Sequence, residues 1–225
     1  MSRAELLAVE SVDVSIQAMP ALRGFSLQVC KGEMVGLIGR NGAGKTTLMR
    51  TIMGHLKPSD GSIRFAGENL LTMPVHRRAH LGIGHMPEDR GLVPQLTVEE
   101  NILLPLWVSR HLGVRERLNF VYELMPEVKE LGARKALLLS GGQQKLVALG
   151  RALAIGTQLL LLDEPFEGVA PALSKRLSEV IFSLKAYHLS VLISQSEHNH
   201  SRTLFDSEHV IERGANQATQ PKATT

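Results

Sequence analysis

The sequence predicts an α/β protein in which a mixed or parallel central sheet is flanked by helices. Two short apolar runs carry this prediction, because each leads directly into residues with chemical function. The first run, Met34–Ile38, precedes a glycine-rich loop, and the second, Leu159–Leu162, precedes two acidic residues. Continuous apolar runs are typical of parallel strands that are covered on both faces. Functional residues then collect at the carboxyl ends of those strands.

The glycine-rich loop has the pattern G-x-x-x-x-G-K-[ST], which predicts a nucleoside triphosphate site. Its residues are Gly39, Arg40, Asn41, Gly42, Ala43, Gly44, Lys45, Thr46 and Thr47. Glycines allow the backbone to wrap closely around phosphate oxygens, and a helix predicted from Thr46 to Met53 favours negative charge at its start. In this pattern Lys45 contacts the β- and γ-phosphates and the Thr46 hydroxyl binds Mg²⁺. A glycine-rich surface turn is the alternative, which the flanking strand and helix disfavour.

The acidic residues after the second run are Asp163 and Glu164. They should emerge at the edge of the sheet where the loop holds its phosphates. One carboxylate can bind Mg²⁺ or its waters while the other polarises an attacking water. An Asp-Glu-Pro turn after a core strand is the plainer interpretation, and the neighbouring phosphate loop makes it the weaker one.

A third motif begins at Ser140, which forms an S-x-x-Q capping box with Gln143. A helix cap explains the serine but not Gly141 and Gly142, because glycine in a first turn lowers helix propensity. Glycines there leave backbone amides uncovered, and these can face a phosphate. We therefore predict a second phosphate contact at this helix start.

The remaining elements follow from turn residues and caps. Strands are predicted at residues 5–16, 24–38, 62–65 and 190–194, and helices at 98–108, 115–124 and 171–186. Thr97 and Glu100 form a capping box before the first of these helices, and Pro171 lies in the first turn of the last. We predict a P-loop core at 5–91 and 139–214 with a small helical subdomain at 92–138. The tail, 215–225, is almost without apolar residues and is predicted to be disordered.

These motifs, in this order, resemble the ATP-binding subunits of ABC transporters. The resemblance rests on Gly39–Thr47, on the LSGGQ sequence at Leu139–Gln143, and on Leu159–Pro165 with the following Glu167–Pro171. It extends from about Leu6 to Gly214 and implies the P-loop NTPase fold of ABC ATPases. Segments 87–90, 96–101 and 166–171 look most like the subunits that serve branched-chain amino acid importers.

In that family two nucleotide-binding subunits pair head to tail, and each ATP lies between one P-loop and the other subunit's LSGGQ sequence. The resemblance implies that ATP and Mg²⁺ are the cofactors and that a second ATP-binding subunit, identical or related, is a partner. Ser140, Gly141, Gly142 and Gln143 would contact the partner's ATP. Membrane-spanning permease subunits would be the other partners, which implies a peripheral location on the cytoplasmic face of the inner or plasma membrane.

Three positions depart from the family pattern. Glu88 stands where a Gln more often senses Mg²⁺, and we expect its carboxylate to keep the catalytic and metal-binding role. Ile16 stands where an aromatic residue stacks on adenine, so we expect a plain apolar contact and weaker binding. Ser196 stands where most members have a His that contacts the γ-phosphate, and we expect it to hold that catalytic position. His198 and His200 resemble a metal-binding pair, but no Cys or carboxylate with ligand spacing accompanies them.

Composition agrees with a peripheral subunit. The chain has 225 residues, 44% of them hydrophobic, so it can bury one good core and a small subdomain. It has no 18-residue apolar run and no apolar signal-peptide core, so we expect no membrane span and no secretion. The single cysteine, Cys30, excludes an internal disulfide. A net charge of +3 is too small to indicate nucleic acid as a partner.

Three functions are compatible with these motifs, and the leading one is the energising ATPase of an importer. A soluble ABC ATPase acting on nucleic acid or ribosomes usually has two cassettes or a long coiled-coil insertion, and neither occurs here. A nucleotide-binding module that hydrolyses weakly within a heterodimer is favoured by Ile16 and Ser196 but opposed by the intact Glu164. A GTPase is disfavoured because the sequence lacks N-K-x-D.

Overall fold

The computed structural model describes residues 4–107, 109, 112–196 and 204–217, and these form two sheets and seven α-helices. The strands are β1 (Glu5–Ile16), β2 (Met19–Cys30), β3 (Met34–Ile38), β4 (Asp60–Phe65), β5 (Glu68–Asn69), β6 (Ile83–Met86), β7 (Leu159–Asp163), β8 (Ser190–Gln195), β9 (Ser207–Glu212) and β10 (Ala215–Asn216). The helices are α1 (Lys45–Ile52), α2 (Arg77–His80), α3 (Val98–Trp107), α4 (Val114–Leu124), α5 (Pro126–Glu130), α6 (Gly141–Ile155) and α7 (Pro171–Ser183). Short 3₁₀ turns occur at Leu70–Thr72, Ala136–Leu138 and Leu184–Tyr187.

The larger sheet has the order β10-β9-β3-β8-β7-β6. Its strands run parallel except β10, which is antiparallel to β9. The smaller sheet, β2-β1-β4-β5, is antiparallel throughout. The predicted α/β class with a mixed sheet is therefore confirmed. Residues 24–38, predicted as one strand, belong to two strands in different sheets, because the chain turns at Gly32 with a φ of +69°.

The larger sheet separates two hydrophobic cores, which explains why its strands are apolar on both faces. Val35 and Leu161 face the core formed with α1 and the antiparallel sheet. Met34 and Leu160 face the core formed with α3, α4, α6 and α7. Burial on both faces fixes each strand between two layers, and the carboxyl ends of β3, β7 and β8 meet at one edge of the sheet.

The segment 92–138 contains α3, α4 and α5. Helix α3 begins at the predicted residue, Val98, and α4 begins at Val114, one residue before its predicted start. The Thr97 backbone amide donates to Glu100 Oε2 at 2.8 Å, and the Glu100 amide donates to Thr97 Oγ1 at 3.1 Å. The predicted capping box is thus present. Ile102 and Val121 pack in the same core as α6. The division of the chain into a core and a helical subdomain stays a prediction.

The predicted disordered tail begins too early. Ala215 and Asn216 form β10, and the Asn216 amide side chain accepts from the Ser26 N–H and donates to the Ser26 carbonyl, both at 2.7 Å. A polar residue at the edge of a sheet is ordered here by backbone hydrogen bonds, which composition does not reveal. Residues 218–225 lie outside the described ranges. No helix within those ranges combines the length and apolar character needed to cross a membrane.

Gly84, in β6, marks a close approach between the sheet and α6. A Cβ there would lie 2.2 Å from the Ala152 carbonyl oxygen and 2.9 Å from the Leu160 side chain. We therefore expect Gly84→Ala to displace α6 and to lower the free energy of unfolding by about 1–3 kcal/mol. Urea denaturation followed by circular dichroism measures this change.

Gly113→Ala is the matched control for that substitution. A Cβ at Gly113 would meet the Glu116 carboxylate at 3.1 Å, and that flexible side chain can move away. If Gly84→Ala is no less stable than Gly113→Ala, α6 and β6 do not approach as closely as described.

Candidate active site

The loop between β3 and α1 lines a cleft of about 490 Å³. Loop residues Asn41, Gly42, Gly44, Lys45, Thr46 and Thr47 line it, and so do Glu88 and Glu164. Gly44 has a φ of +113°, and a Cβ on it would lie 2.9 Å from the Ala21 carbonyl oxygen. The loop therefore requires glycine there, both for its conformation and for its contact with β2. The predicted phosphate loop and Glu164 thus border one cleft.

Lys45 is almost fully buried, with 5% of its surface exposed. Its ammonium donates to the carbonyl oxygens of Gly39 at 2.5 Å and Arg40 at 3.0 Å, and it lies 3.0 Å from Glu164 Oε1. A phosphate that enters the cleft competes with Glu164 for this ammonium, because both are anions. Binding of a triphosphate can in this way free the Glu164 carboxylate to accept a hydrogen bond from water.

Ser196 contacts both halves of the site. Its hydroxyl donates to Glu164 Oε1 at 2.6 Å and also lies 2.6 Å from Asn41 Oδ1. A hydroxyl has one hydrogen, so the second contact is favourable when the Asn41 amide is turned to donate through its nitrogen. Ser196 thus connects the phosphate loop to Glu164. Its predicted action on the γ-phosphate stays a prediction.

Asp163 is 1% exposed, and its Oδ1 accepts from the Ser194 hydroxyl at 2.5 Å. Burial raises the pKa of Asp163, although the hydroxyls of Ser194 and Thr46 and the charge of Lys45 lower it. Its Oδ2 is buried and makes no hydrogen bond within the described residues. A buried carboxylate oxygen without a partner is suited to a cation or to a water bound to one.

Thr46 and Glu88 complete a set of oxygen donors that fits Mg²⁺. The Thr46 hydroxyl donates to Glu88 Oε2 at 3.4 Å. In the described part of the chain no three His, Cys, Asp or Glu side chains are arranged to hold a metal by themselves. Mg²⁺ usually takes one or two carboxylates together with substrate phosphates and water. His198 and His200 lie outside the described residues.

The predicted contact of Ile16 with the adenine base stays a prediction. Ile16 pairs with Met19 at the end of the β1–β2 hairpin, and 39% of its surface is exposed. The residues that follow it along the chain reach the cleft, because Pro20, Ala21 and Arg23 line it.

The LSGGQ residues form the start of α6, as predicted. The Gln143 amide donates to Ser140 Oγ at 3.3 Å, and the Ser140 amide donates to Gln143 Oε1 at 3.0 Å, which completes the capping box. Ser140 and Gly141 are exposed, and neither they nor Gly142 and Gln143 line the cleft of their own chain. Ser140 and Gly141 are therefore accessible from outside the chain.

Ser194 and Lys145 contact the segment that contains Asp163 and Glu164, and neither contact was predicted. Ser194 Oγ accepts from the Glu164 amide at 3.0 Å as well as donating to Asp163. Lys145, on α6, donates to the Glu164 carbonyl oxygen at 2.9 Å. The sequence shows Ser194 as a polar residue at the end of an apolar strand and Lys145 as a lysine on an apolar helix face. Neither pattern indicates which residue the side chain contacts.

A phosphate loop, a buried Asp-Glu pair after a central strand, and a capped LSGGQ helix define a P-loop ATPase. The family model described as ABC transporter matches residues 22–167. The chain is 36% identical over 209 residues to the high-affinity branched-chain amino acid transport ATP-binding protein BraG of Pseudomonas aeruginosa, covering 93% of this chain and 90% of BraG. It is 35% identical over 212 residues to the lipopolysaccharide export system ATP-binding protein LptB of Haemophilus influenzae, covering 93% of this chain and 87% of LptB.

Solved structures agree with these relatives. The ADP conformation of MJ1267, an ATP-binding cassette of an ABC transporter, is 30% identical with a TM-score of 0.80, covering 95% of this chain and 90% of MJ1267. The dimeric post-hydrolysis state of the cassette MJ0796, bound to ADP and Pi, has a TM-score of 0.87 at 21% identity. The match covers 98% of this chain and 100% of MJ0796, and at this identity it supports the fold alone.

The chain belongs to the ABC transporter ATP-binding family. It is an ATPase that uses ATP and Mg²⁺. Members of this family work as dimers with membrane permease subunits.

Ser194→Ala tests the arrangement of Asp163 and Glu164. The variant loses the hydroxyl that orients Asp163 and leaves the Glu164 N–H without its acceptor. We expect the Mg²⁺ concentration for half-maximal ATP binding to rise about 10- to 100-fold, the range found when groups that orient metal ligands are removed. Titration of Mg²⁺ against a fluorescent ATP analogue measures this.

Ser178→Ala is the matched control, because the Ser178 hydroxyl only donates to the Ser174 carbonyl within α7. Equal Mg²⁺ dependence of the two variants would mean that Ser194 does not orient the metal site.

Proposed function

We propose that the chain is the ATP-hydrolysing subunit of an importer for branched-chain or related amino acids. The similarity to BraG along nearly the whole chain supports this, together with segments 87–90, 96–101 and 166–171. Similarity to LptB is almost as high, so lipopolysaccharide export is the competing cargo. The segments favour the importer, because their residues resemble importer subunits. Two of the three segments also reach the site, since Glu88 lines the cleft and Glu167 lines a neighbouring pocket that shares Asn41 and Glu164 with it.

The proposed catalytic residue is Glu164, which accepts a proton from the attacking water. Lys45 and the P-loop hold the phosphates, and Asp163, Thr46 and Glu88 hold Mg²⁺. The buried ion pair between Lys45 and Glu164 carries this assignment, because it places the base next to the cation that binds the transferred phosphate. Mg²⁺ neutralises charge on the phosphates when it is bound.

A second subunit, either a copy of this chain or a related chain, would supply its own LSGGQ helix to this cleft. The exposure of Ser140 and Gly141 outside their own cleft supports that arrangement. ATP would then join the two subunits, and closure would move the proposed helical subdomain at 92–138. The permease subunits would hold the dimer at the cytoplasmic face of the membrane, and no nucleic acid takes part.

Transport measurements test the proposed cargo. Deletion of the gene should abolish most high-affinity uptake of radiolabelled leucine, and wild-type protein should restore it. Lys45→Ala should not restore it, because the phosphate contact is lost. Normal leucine uptake in the deletion strain, with lipopolysaccharide missing from the cell surface, would favour the export function instead.

A slow, heterodimeric ATPase is the second candidate, and Ser196 favours it. Serine is shorter than histidine and is already engaged with Glu164 and Asn41. Loss of one preplaced donor to a transition state typically costs about 10²–10³ in rate. We expect Ser196→His to raise kcat at saturating ATP by about tenfold or more, measured by steady-state phosphate release.

Ser196→Ala is the control, because it removes the hydroxyl without adding a donor. A histidine variant that binds ATP but is no faster than wild type would mean that Ser196 does not limit hydrolysis.

A further inference from the structure

Lys145 is a buried cation that the proposed mechanism does not use. It lies in the second turn of α6 with 4% of its surface exposed. Its ammonium donates to the carbonyl oxygens of Glu164 at 2.9 Å and Pro165 at 3.3 Å, and also to that of Glu167. An ammonium has three N–H donors, so all three are satisfied.

The ammonium of Lys145 is hydrogen-bonded to backbone carbonyl oxygens, and the charges of Glu167, Glu164 and Glu88 favour its protonated form. Within the described residues it forms no ion pair with a carboxylate. Burial lowers the pKa of Lys145, and the nearby charge of Arg90 acts in the same direction. An apolar residue of similar length would avoid this desolvation cost. The position therefore favours lysine for its three hydrogen bonds to one short segment.

That segment begins at a strained residue. Glu164 has a φ of +47°, in the left-handed region that residues other than glycine rarely adopt. Such a conformation persists only when the surroundings hold it. The Glu164 N–H is held by Ser194 Oγ at 3.0 Å on β8, and its carbonyl is held by Lys145 on α6. The carbonyl also accepts from the Glu167 N–H at 3.2 Å, within the same turn. Without Lys145, the Glu164 carbonyl therefore loses its bond to α6 and keeps the local bond from Glu167.

The same helix also holds the segment that carries Glu88. Arg90 donates through Nη1 to Gln144 Oε1 at 2.7 Å. Arg151, farther along α6, donates to the carbonyl oxygens of Arg90 at 2.7 Å and Gly91 at 2.6 Å. The helix that begins with the exposed LSGGQ residues is thus bonded to the segments that carry both Glu88 and Glu164.

We propose that Lys145 is a positioning residue for Glu164, through which α6 joins the LSGGQ surface to the hydrolytic site of the same chain. Neighbouring residues of one helix move together, so a shift of Ser140 and Gly141 against a second subunit's ATP moves the Lys145 ammonium as well. The carbonyl bonds then carry that shift to Glu164. This inference rests on the proposed function, because it concerns ATP hydrolysis by Glu164.

Lys145→Met tests the proposal by separating turnover from binding. Methionine keeps much of the length and the burial but removes the three donors. We expect kcat to fall about 10- to 100-fold, the cost of a small misplacement of a catalytic group, while the Kd for ATP changes less than about twofold. Lys145→Arg, which keeps several donors, should recover part of the rate. Lys175→Met, at an exposed lysine on α7, is the matched control.

A double-mutant cycle shows whether Lys145 acts through Glu164. In single-turnover assays with excess protein, Lys145→Met should slow Glu164→Gln by less than about twofold, because the group being positioned is already absent. An equal loss of rate in both backgrounds would overturn the proposal. If wild-type protein itself does not hydrolyse ATP, the proposed function fails; if it does and Lys145→Met is equally fast, only the role of Lys145 fails.

Amide hydrogen exchange tests whether Lys145 restrains the Glu164 segment, even if Lys145→Met loses activity for another reason. We expect faster exchange in peptides covering residues 163–169, with β7 before Asp163 and β8 unchanged. Faster exchange throughout the sheet would mean that Lys145 supports the whole fold, and unchanged exchange at 163–169 would mean that it restrains nothing there. Either result would overturn the proposal.

Discussion

The pairing register between β7 and β8 is the constraint on which the site depends. It sets Asp163 opposite Ser194, so one buried hydroxyl donates to the carboxylate proposed to bind the metal and accepts from the next amide. A slip of one residue would reverse which side chains face each core, and strands buried on both faces resist such a slip. The same strand β8 pairs with β3, which ends at the phosphate loop. The residues proposed to bind phosphate, bind the metal and act as the base are thus positioned by a single sheet.

Charge within the cleft is balanced at short range. Lys45 faces Glu164, and Asp163 is left with one oxygen that has no partner in the described structure. The two carboxylates consequently differ in environment. Glu164 is paired with the Lys45 ammonium, to which a phosphate can also bind, whereas Asp163 is desolvated and is the carboxylate that we propose for the metal. We therefore propose different roles for these two neighbouring carboxylates. A phosphate of ATP would bind the Lys45 ammonium and release Glu164, and Mg²⁺ would bind Asp163.

Local patterns predicted most of the site, whereas contacts that depend on tertiary register were missed. The P-loop, the Asp163–Glu164 pair and both capping boxes are short-range features, and the structure contains each of them. Ser194 and Lys145 act across strands and layers, so nothing in their immediate sequence identifies their partners. The adenine contact expected of Ile16 rests on an alignment alone and stays a prediction. The end of β2 at Cys30 was missed because β2 and the following β3 are both apolar. Strands β9 and β10 were missed because they contain polar residues that are ordered by backbone pairing.

The central claim is that Glu164 acts on the water that attacks ATP held by Lys45 and Mg²⁺. Single-turnover hydrolysis of γ-labelled ATP by Glu164→Gln, with binding measured on the same sample, tests it most directly. The account predicts that ATP affinity is retained and that the hydrolysis rate falls by about 10²–10⁴, the usual contribution of a general base. A fall of less than about tenfold with ATP fully bound would contradict it, because another group would then have to activate the water.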